Sequence, residues 1–138
     1  ERLRALIGAI RGVIVVAEAD AEADARERID ACRPDVVVLD LRLRAGSGLS
    51  VLEYLKASHP DVIVIVLTNY GHAEYRAKCL NLGADYFFDK SRDIDAFSGL
   101  LGELSARLFA DRCESAGADA PSDGAVSNVG LLSAQAAK

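Results

Sequence analysis

No methionine occurs among the 138 residues, and the chain opens on glutamate. Translation starts on methionine, which is usually kept ahead of a bulky side chain, so the native N-terminus is expected to lie upstream of Glu1. Long apolar runs are missing as well: none approaches the ~18 residues of a membrane span. No stretch has the charged, apolar and small-residue order of a secretory signal. There is no cationic excess either. Against 16 Lys and Arg stand 21 Asp and Glu, a net charge of −5, which argues against nucleic acid as the main partner. Cysteine is scarce: Cys32, Cys79 and Cys113 are odd in number, lack metal-ligand spacing and read as reduced thiols of a cytoplasmic protein. His59 and His72 stand alone and read as surface residues rather than metal ligands.

What is present is a core-sized apolar content, 51%, in a length that fits one domain. Leu3, Leu6, Ile7 and Ile10 recur at helical spacing, so residues 2–10 read as a helix. VIVVAEAD (13–20) is β-branched and short, hence a strand. Residues 21–33 read as a helix with Ala25, Ile29 and Cys32 turned inward, stopped by Pro34. DVVVLD (35–40) is a strand, and a glycine-containing loop leads to a helix marked by Leu49, Leu52 and Leu55. DVIVIVLTN (61–69) is the most apolar strand. Residues 72–83 read as a helix closed by Gly83, and ADYFFDK (84–90) as another strand. Ile94, Phe97, Leu101, Leu104 and Leu108 step along one face of a last helix. From Cys113 the chain is mostly Ala, Ser and Gly, without a helix-turn-helix pattern, and residues 113–138 read as a flexible tail.

Strands alternating with helices imply right-handed crossovers and a parallel sheet covered on both faces. Such a sheet normally opens with a strand, whereas this pattern opens with a helix. Ligands of open parallel sheets bind beyond the carboxyl ends of the strands. Asp40, Thr68 and Lys90 all fall at such ends, one strand–helix unit apart. Singly each is weak evidence: Asp40 could cap a turn, Thr68 could bond its own backbone, and Lys90 could pair with Asp89. Together they gather a carboxylate able to attack a phosphoryl group, with a hydroxyl and an ammonium to hold the phosphoryl oxygens.

At these residues the chain resembles the receiver domain of bacterial two-component response regulators. The resemblance spans residues 1 to about 110 and is carried by PDVVVLDLRLRAGSGLSVLEYLK, DVIVIVLTNYG and LGADYFFDKS. It implies a flavodoxin-like doubly wound sheet of order 2-1-3-4-5, formed by residues 1–112. It implies Asp40 as phosphoacceptor, Thr68 and Lys90 as phosphate-binding residues, and Phe87 as the aromatic that changes rotamer with the switch. Gly48 matches the glycine of the loop before the next helix. The implied partners are a sensor histidine kinase or phosphotransfer protein and a downstream protein target. Magnesium is the implied cofactor, held by Asp40, the backbone carbonyl of Arg42 and an acidic pair.

That acidic pair should end the family's first, central strand, and the sequence does not supply it. The leading explanation is that the strand lies upstream of Glu1. The second is that Glu18 or Asp20 substitutes, which requires 13–20 to pair directly with 35–40. The third is that 125–132 supplies the strand, as in a permuted fold, against its weak β character. Without the pair, the chain is expected to bind magnesium poorly and to accept phosphate slowly or not at all. Asn69 and Arg42 are expected to narrow access to the site, and Arg44-Ala45 to give a mobile loop. A chain without its central strand could also form a homodimer by exchanging elements.

Three functions compete. One is a phosphorylation-switched signalling domain acting through protein contacts, with Tyr70, His72, Tyr75 and Arg76 as candidates. The alternative is a pseudo-receiver, an interaction module that is not phosphorylated. An aspartate-nucleophile phosphatase needs Asp-x-Asp, whereas Asp40-Leu41-Arg42 lacks the second acid. No Ser/Thr/Gly phosphate loop follows any strand, which disfavours flavin binding. The chain is therefore read as a non-enzyme.

Overall fold

The computed structural model describes residues 5–7, 9–10, 13–41, 43, 45–69, 73–116 and 127–132. Five strands are β1 (Val13–Ala19), β2 (Val36–Leu39), β3 (Ile63–Thr68), β4 (Tyr86–Asp89) and β5 (Ser127–Leu132). Among the described residues, residues 5–7 are helical, and the helices after β1 are α1 (Glu22–Cys32), α2 (Gly48–Ser58), α3 (Ala73–Asn81) and α4 (Ile94–Ala116). All strand pairings are parallel, in the order β1-β5-β2-β3-β4.

Alternate residues of each inner strand face opposite cores. Val37, Leu39, Val64 and Val66 join Ala25 and Ile29 of α1, Leu52 and Leu55 of α2 and Cys79 of α3. Val36, Val38, Ile65 and Leu67 join Ile7 and the α4 residues Phe97, Leu101 and Leu104. Two-sided burial is why β2 and β3 are continuous apolar runs. The ends of the helices follow local chemistry. Arg33, at φ 45°, closes α1 with its N–H on the Ile29 carbonyl, and Ser47 caps α2 by accepting from the Leu49 amide. Gly83, at φ 106°, turns the chain out of α3.

The position between β1 and β2 is taken by β5. Of the three arrangements weighed for the missing central strand, the structure shows the one in which the tail supplies it. The reading of a flexible tail is therefore corrected for two parts of 113–138, since α4 runs on through Ala116 and Ser127–Leu132 is a strand, while residues 117–126 and 133–138 lie outside the described residues. The physical reason is tertiary. The inner edges of β1 and β2 present rows of amides and carbonyls that need partners, and a strand between them satisfies both at once. Context of this kind overrides the weak intrinsic preference of Ser, Asn and Gly. The fit to β1 is imperfect, since Val15 pairs with Val129 and Ala17 with Gly130, leaving Val16 as an extra residue.

A second correction concerns Cys32, expected to face inward but exposed. It lies in the last turn of α1, and its thiol reaches the Val16 carbonyl at 3.7 Å, where β1 bulges.

Candidate functional site

β2, β3 and β4 end on one rim. Leu39 pairs with Val66 and Thr68 with Asp89, so Asp40 and Lys90 each lie one residue beyond the end of a ladder that flanks β3. Asp40 is buried at 8% exposure and Thr68 at 0%. The Lys90 Nζ donates to Asp40 Oδ2 at 2.9 Å, closing the gap across β3. The Lys90 amide donates to the Thr68 carbonyl at 2.8 Å, which fixes where the lysine leaves β4. The three residues singled out in the sequence thus end on a shared rim, two of them in direct contact.

The turn after β4 keeps Lys90 available for that contact. Asp89 does not pair with it. Its carboxylate accepts from the Ser91 hydroxyl and amide and lies 3.7 Å from Arg92 Nε. The Ser91 hydroxyl bond, followed by the Ser91 amide, holds the Asp89 carboxyl below its ordinary value. Asp93 Oδ2 accepts from the Asp89 amide, while the Asp93 amide donates back to the Asp89 carbonyl at 2.8 Å.

On the other side of Asp40, the loop returns against the first residue of α2. The Gly48 amide donates to the Leu41 carbonyl at 3.3 Å. A Cβ on Gly48 would stand 2.7 Å from Leu41 Cα and 2.8 Å from the Asp40 carbonyl oxygen, so only glycine allows this approach. Phe87 lies on the sheet face of Val66 and Thr68, partly buried against that core. Asn69 is exposed. Arg42, Arg44, Tyr70 and His72 lie outside the described residues. Of the candidate contact residues, Tyr75 and Arg76 are exposed on α3.

The first hundred residues match the family model for the response regulator receiver domain. The chain belongs to this family. Its receiver segment is 33% identical over 111 residues to the DNA-binding transcriptional activator DevR/DosR of Mycobacterium tuberculosis, covering 73% of this chain and 51% of that protein. It is 38% identical over 86 residues to the photosynthetic apparatus regulatory protein RegA of Cereibacter sphaeroides, covering 62% of this chain and 44% of that one. The chain thus spans about half the length of these relatives. Among solved structures it is similar to a LuxR-family DNA-binding response regulator from Staphylococcus aureus, at TM-score 0.61 and 26% identity, over 78% of this chain and 87% of that one. The response regulator domain of Thermotoga maritima CheB shares the fold at TM-score 0.64 and 21% identity, over 76% and 83%. The flavodoxin-like receiver fold is established by these likenesses, and β5 lies outside the segment that the family model matches.

Receiver domains generally bind magnesium for phosphorylation. Here Asp40 is the carboxylate at the rim of β2, and it already holds an ammonium. Glu18 and Asp20 belong to β1 and the residue following it, with β5 between them and β2. That is two strand spacings, roughly 10 Å, so the substitution weighed for them does not arise. Among the described residues, no group of three or more His, Cys, Asp or Glu is placed to hold a metal ion. The described residues do not make up the expected ligand set.

Sequence reasoning missed two features, one beside the site and one at the opposite end of α1 and α2. Glu22 reaches the loop after Asp40 across 25 residues of sequence. Asp30 accepts from the Tyr54 hydroxyl at 2.6 Å and lies 2.7 Å from His59 Nε2, with Tyr54 and His59 edge to face. His59 is therefore engaged rather than isolated. No short motif announces either contact, because each joins separate elements.

Proposed function

We propose that this chain is a phosphoacceptor module of a two-component relay, with Asp40 as the acceptor. The observation that supports this best is the near-buried Asp40–Lys90 pair at the rim beside Thr68. A carboxylate oxygen of Asp40 bonds to phosphorus as the phosphorus–nitrogen bond of a donor phosphohistidine breaks, and the electron pair leaves with the imidazole nitrogen. Lys90 then exchanges carboxylate for phosphoryl oxygen, and the Thr68 hydroxyl donates to another oxygen. Phe87, on the same face as Thr68, turns as Thr68 moves and passes the change to the surface.

The partners are a histidine kinase or phosphotransfer protein upstream and a protein target downstream, with the exposed Tyr75 and Arg76 of α3 as contacts. The module works in the cytoplasm and is not itself an enzyme. Among the described residues no helix is long and apolar enough to cross a membrane. In the test, a phosphorylated histidine phosphotransfer protein is mixed with wild type, Asp40→Asn, Thr68→Ala and Lys90→Ala. Label is expected on wild type, none on Asp40→Asn, and slower labelling on the other two. Equal labelling of Asp40→Asn would reject the assignment.

The alternative is an interaction module that keeps the receiver fold without phosphorylation. That the described residues gather no group of three or more possible metal ligands favours it. In that case wild type takes no label from a donor that labels another receiver, with or without magnesium.

A further inference from the structure

The loop between Asp40 and α2 is tied to the start of α1. Ala21 forms an isolated parallel bridge with Ala45. The Glu22 amide donates to the Ala45 carbonyl at 2.9 Å. Glu22 Oε1 accepts from the Ser47 amide, also at 2.9 Å. Ser47 caps α2, and Gly48, next to it, closes on Leu41. One side chain on α1 therefore fixes the segment that carries the chain from Asp40 into α2.

Glu22 is itself held in place. Its Oε2 accepts from Arg26 Nη2 at 2.9 Å. The Arg26 guanidinium carbon sits 4.8 Å from the centre of the Tyr54 ring on α2, within the range of a cation–π contact. Tyr54 is in turn anchored by Asp30. Gly46 has the complementary shape. At φ 87°, it passes over Glu22 so closely that a Cβ would stand 2.4 Å from Glu22 Cβ and 2.7 Å from Oε1. Loop and side chain are fitted to each other.

We propose that Glu22 is a positioning residue for the Asp40 loop, setting how fast Asp40 is phosphorylated without touching the phosphoryl group. This rests on Asp40 being the acceptor. Two carboxylate oxygens with separate tasks make the role testable by substitution. Glu22→Gln keeps an oxygen for the Ser47 amide, whereas Glu22→Ala removes it. Asp24 is also in the first turn of α1 and is exposed. Asp24→Asn therefore removes a first-turn charge without touching the loop and serves as the control for the helix dipole.

Two readouts are taken on folded protein: the transfer rate to Asp40, and amide hydrogen exchange at Ala45, Ser47 and Gly48. Glu22→Ala is expected to transfer about tenfold slower, equivalent to about 1.4 kcal/mol of barrier, and to exchange faster at Ser47 and Gly48. Glu22→Gln and Asp24→Asn should stay within about twofold of wild type (~0.4 kcal/mol) in transfer, with Ser47 still protected. If Glu22→Ala does not fold, Glu22→Asp, whose shorter side chain withdraws the carboxylate from the Ser47 amide, provides the same two readouts. Wild-type exchange at Ser47 and Gly48 in the folded variant overturns the proposal, as does equal slowing by Asp24→Asn. If wild-type protein takes no label at all, the acceptor assignment fails, and the exchange data alone decide whether Glu22 holds the loop.

Discussion

Asp40 and Lys90 keep 10% and 16% of their side-chain surface in water and meet at 2.9 Å. Removing one leaves the other charged and poorly solvated. Lys90→Ala is therefore expected to cost about 1–3 kcal/mol, read from urea unfolding. Asp40→Asn combined with Lys90→Met should cost less than the two single changes together, because no orphan charge remains. Asp30 gives a pH signature. The Tyr54 hydroxyl bond, and after it the His59 bond, hold its carboxyl below the ordinary 3.8. Its contribution is complete above that value and is lost as pH falls through the depressed folded value. The same bond raises the Tyr54 hydroxyl above 10.0, so that contribution is complete below pH 10.0 and is lost at higher, alkaline pH. The urea midpoint difference between wild type and Asp30→Asn should shrink as pH falls through the depressed Asp30 value and again at alkaline pH above 10.0. At this scale the rim residues were legible, because a residue that ends a buried strand has its position fixed by the strand. Glu22, Asp30 and His59 were not, since their partners come from other elements and leave no periodic trace.

Elements whose apolar spacing is strong were legible close to their ends. β2, β3 and α2 follow from runs of Val, Ile and Leu bounded by Pro34, Ser47 and Pro60. β5 was not, because Ser127, Asn128 and Gly130 disfavour a strand and only the open position between two apolar strands makes one of them. This weakness makes β5 adjustable. A Cβ on Gly130 would lie 3.4 Å from Pro34 Cγ and 3.7 Å from Val37 Cγ2, which are near-ordinary contacts. Gly130→Ala should stabilise by roughly 0.5–1 kcal/mol through lost backbone freedom in the unfolded chain. Val129→Pro, which removes a ladder donor, should destabilise. Opposite shifts in thermal midpoint are expected, and equal shifts would show that β5 does not hold the sheet together.

Across the whole molecule, β5 joins two halves that otherwise share no ladder, β1 on one side and β2-β3-β4 on the other. Deleting 127–138 would leave two inner edges unpaired, and such edges recruit other strands. The shortened chain should therefore run as a dimer or larger species in size-exclusion chromatography with light scattering, and a stable monomer would show that the edges tolerate exposure. Both cores, and the rim between them, depend on the sheet being continuous, and the rim is where the functional reading rests. The most direct measurement is the chemical identity of the phosphorylated residue. After exposure to a phosphohistidine donor, borohydride converts an acyl phosphate on aspartate to homoserine, which peptide mass spectrometry locates. Homoserine at position 40 alone is the predicted result. Its absence at 40, with homoserine or stable phosphate at another residue, would contradict the account.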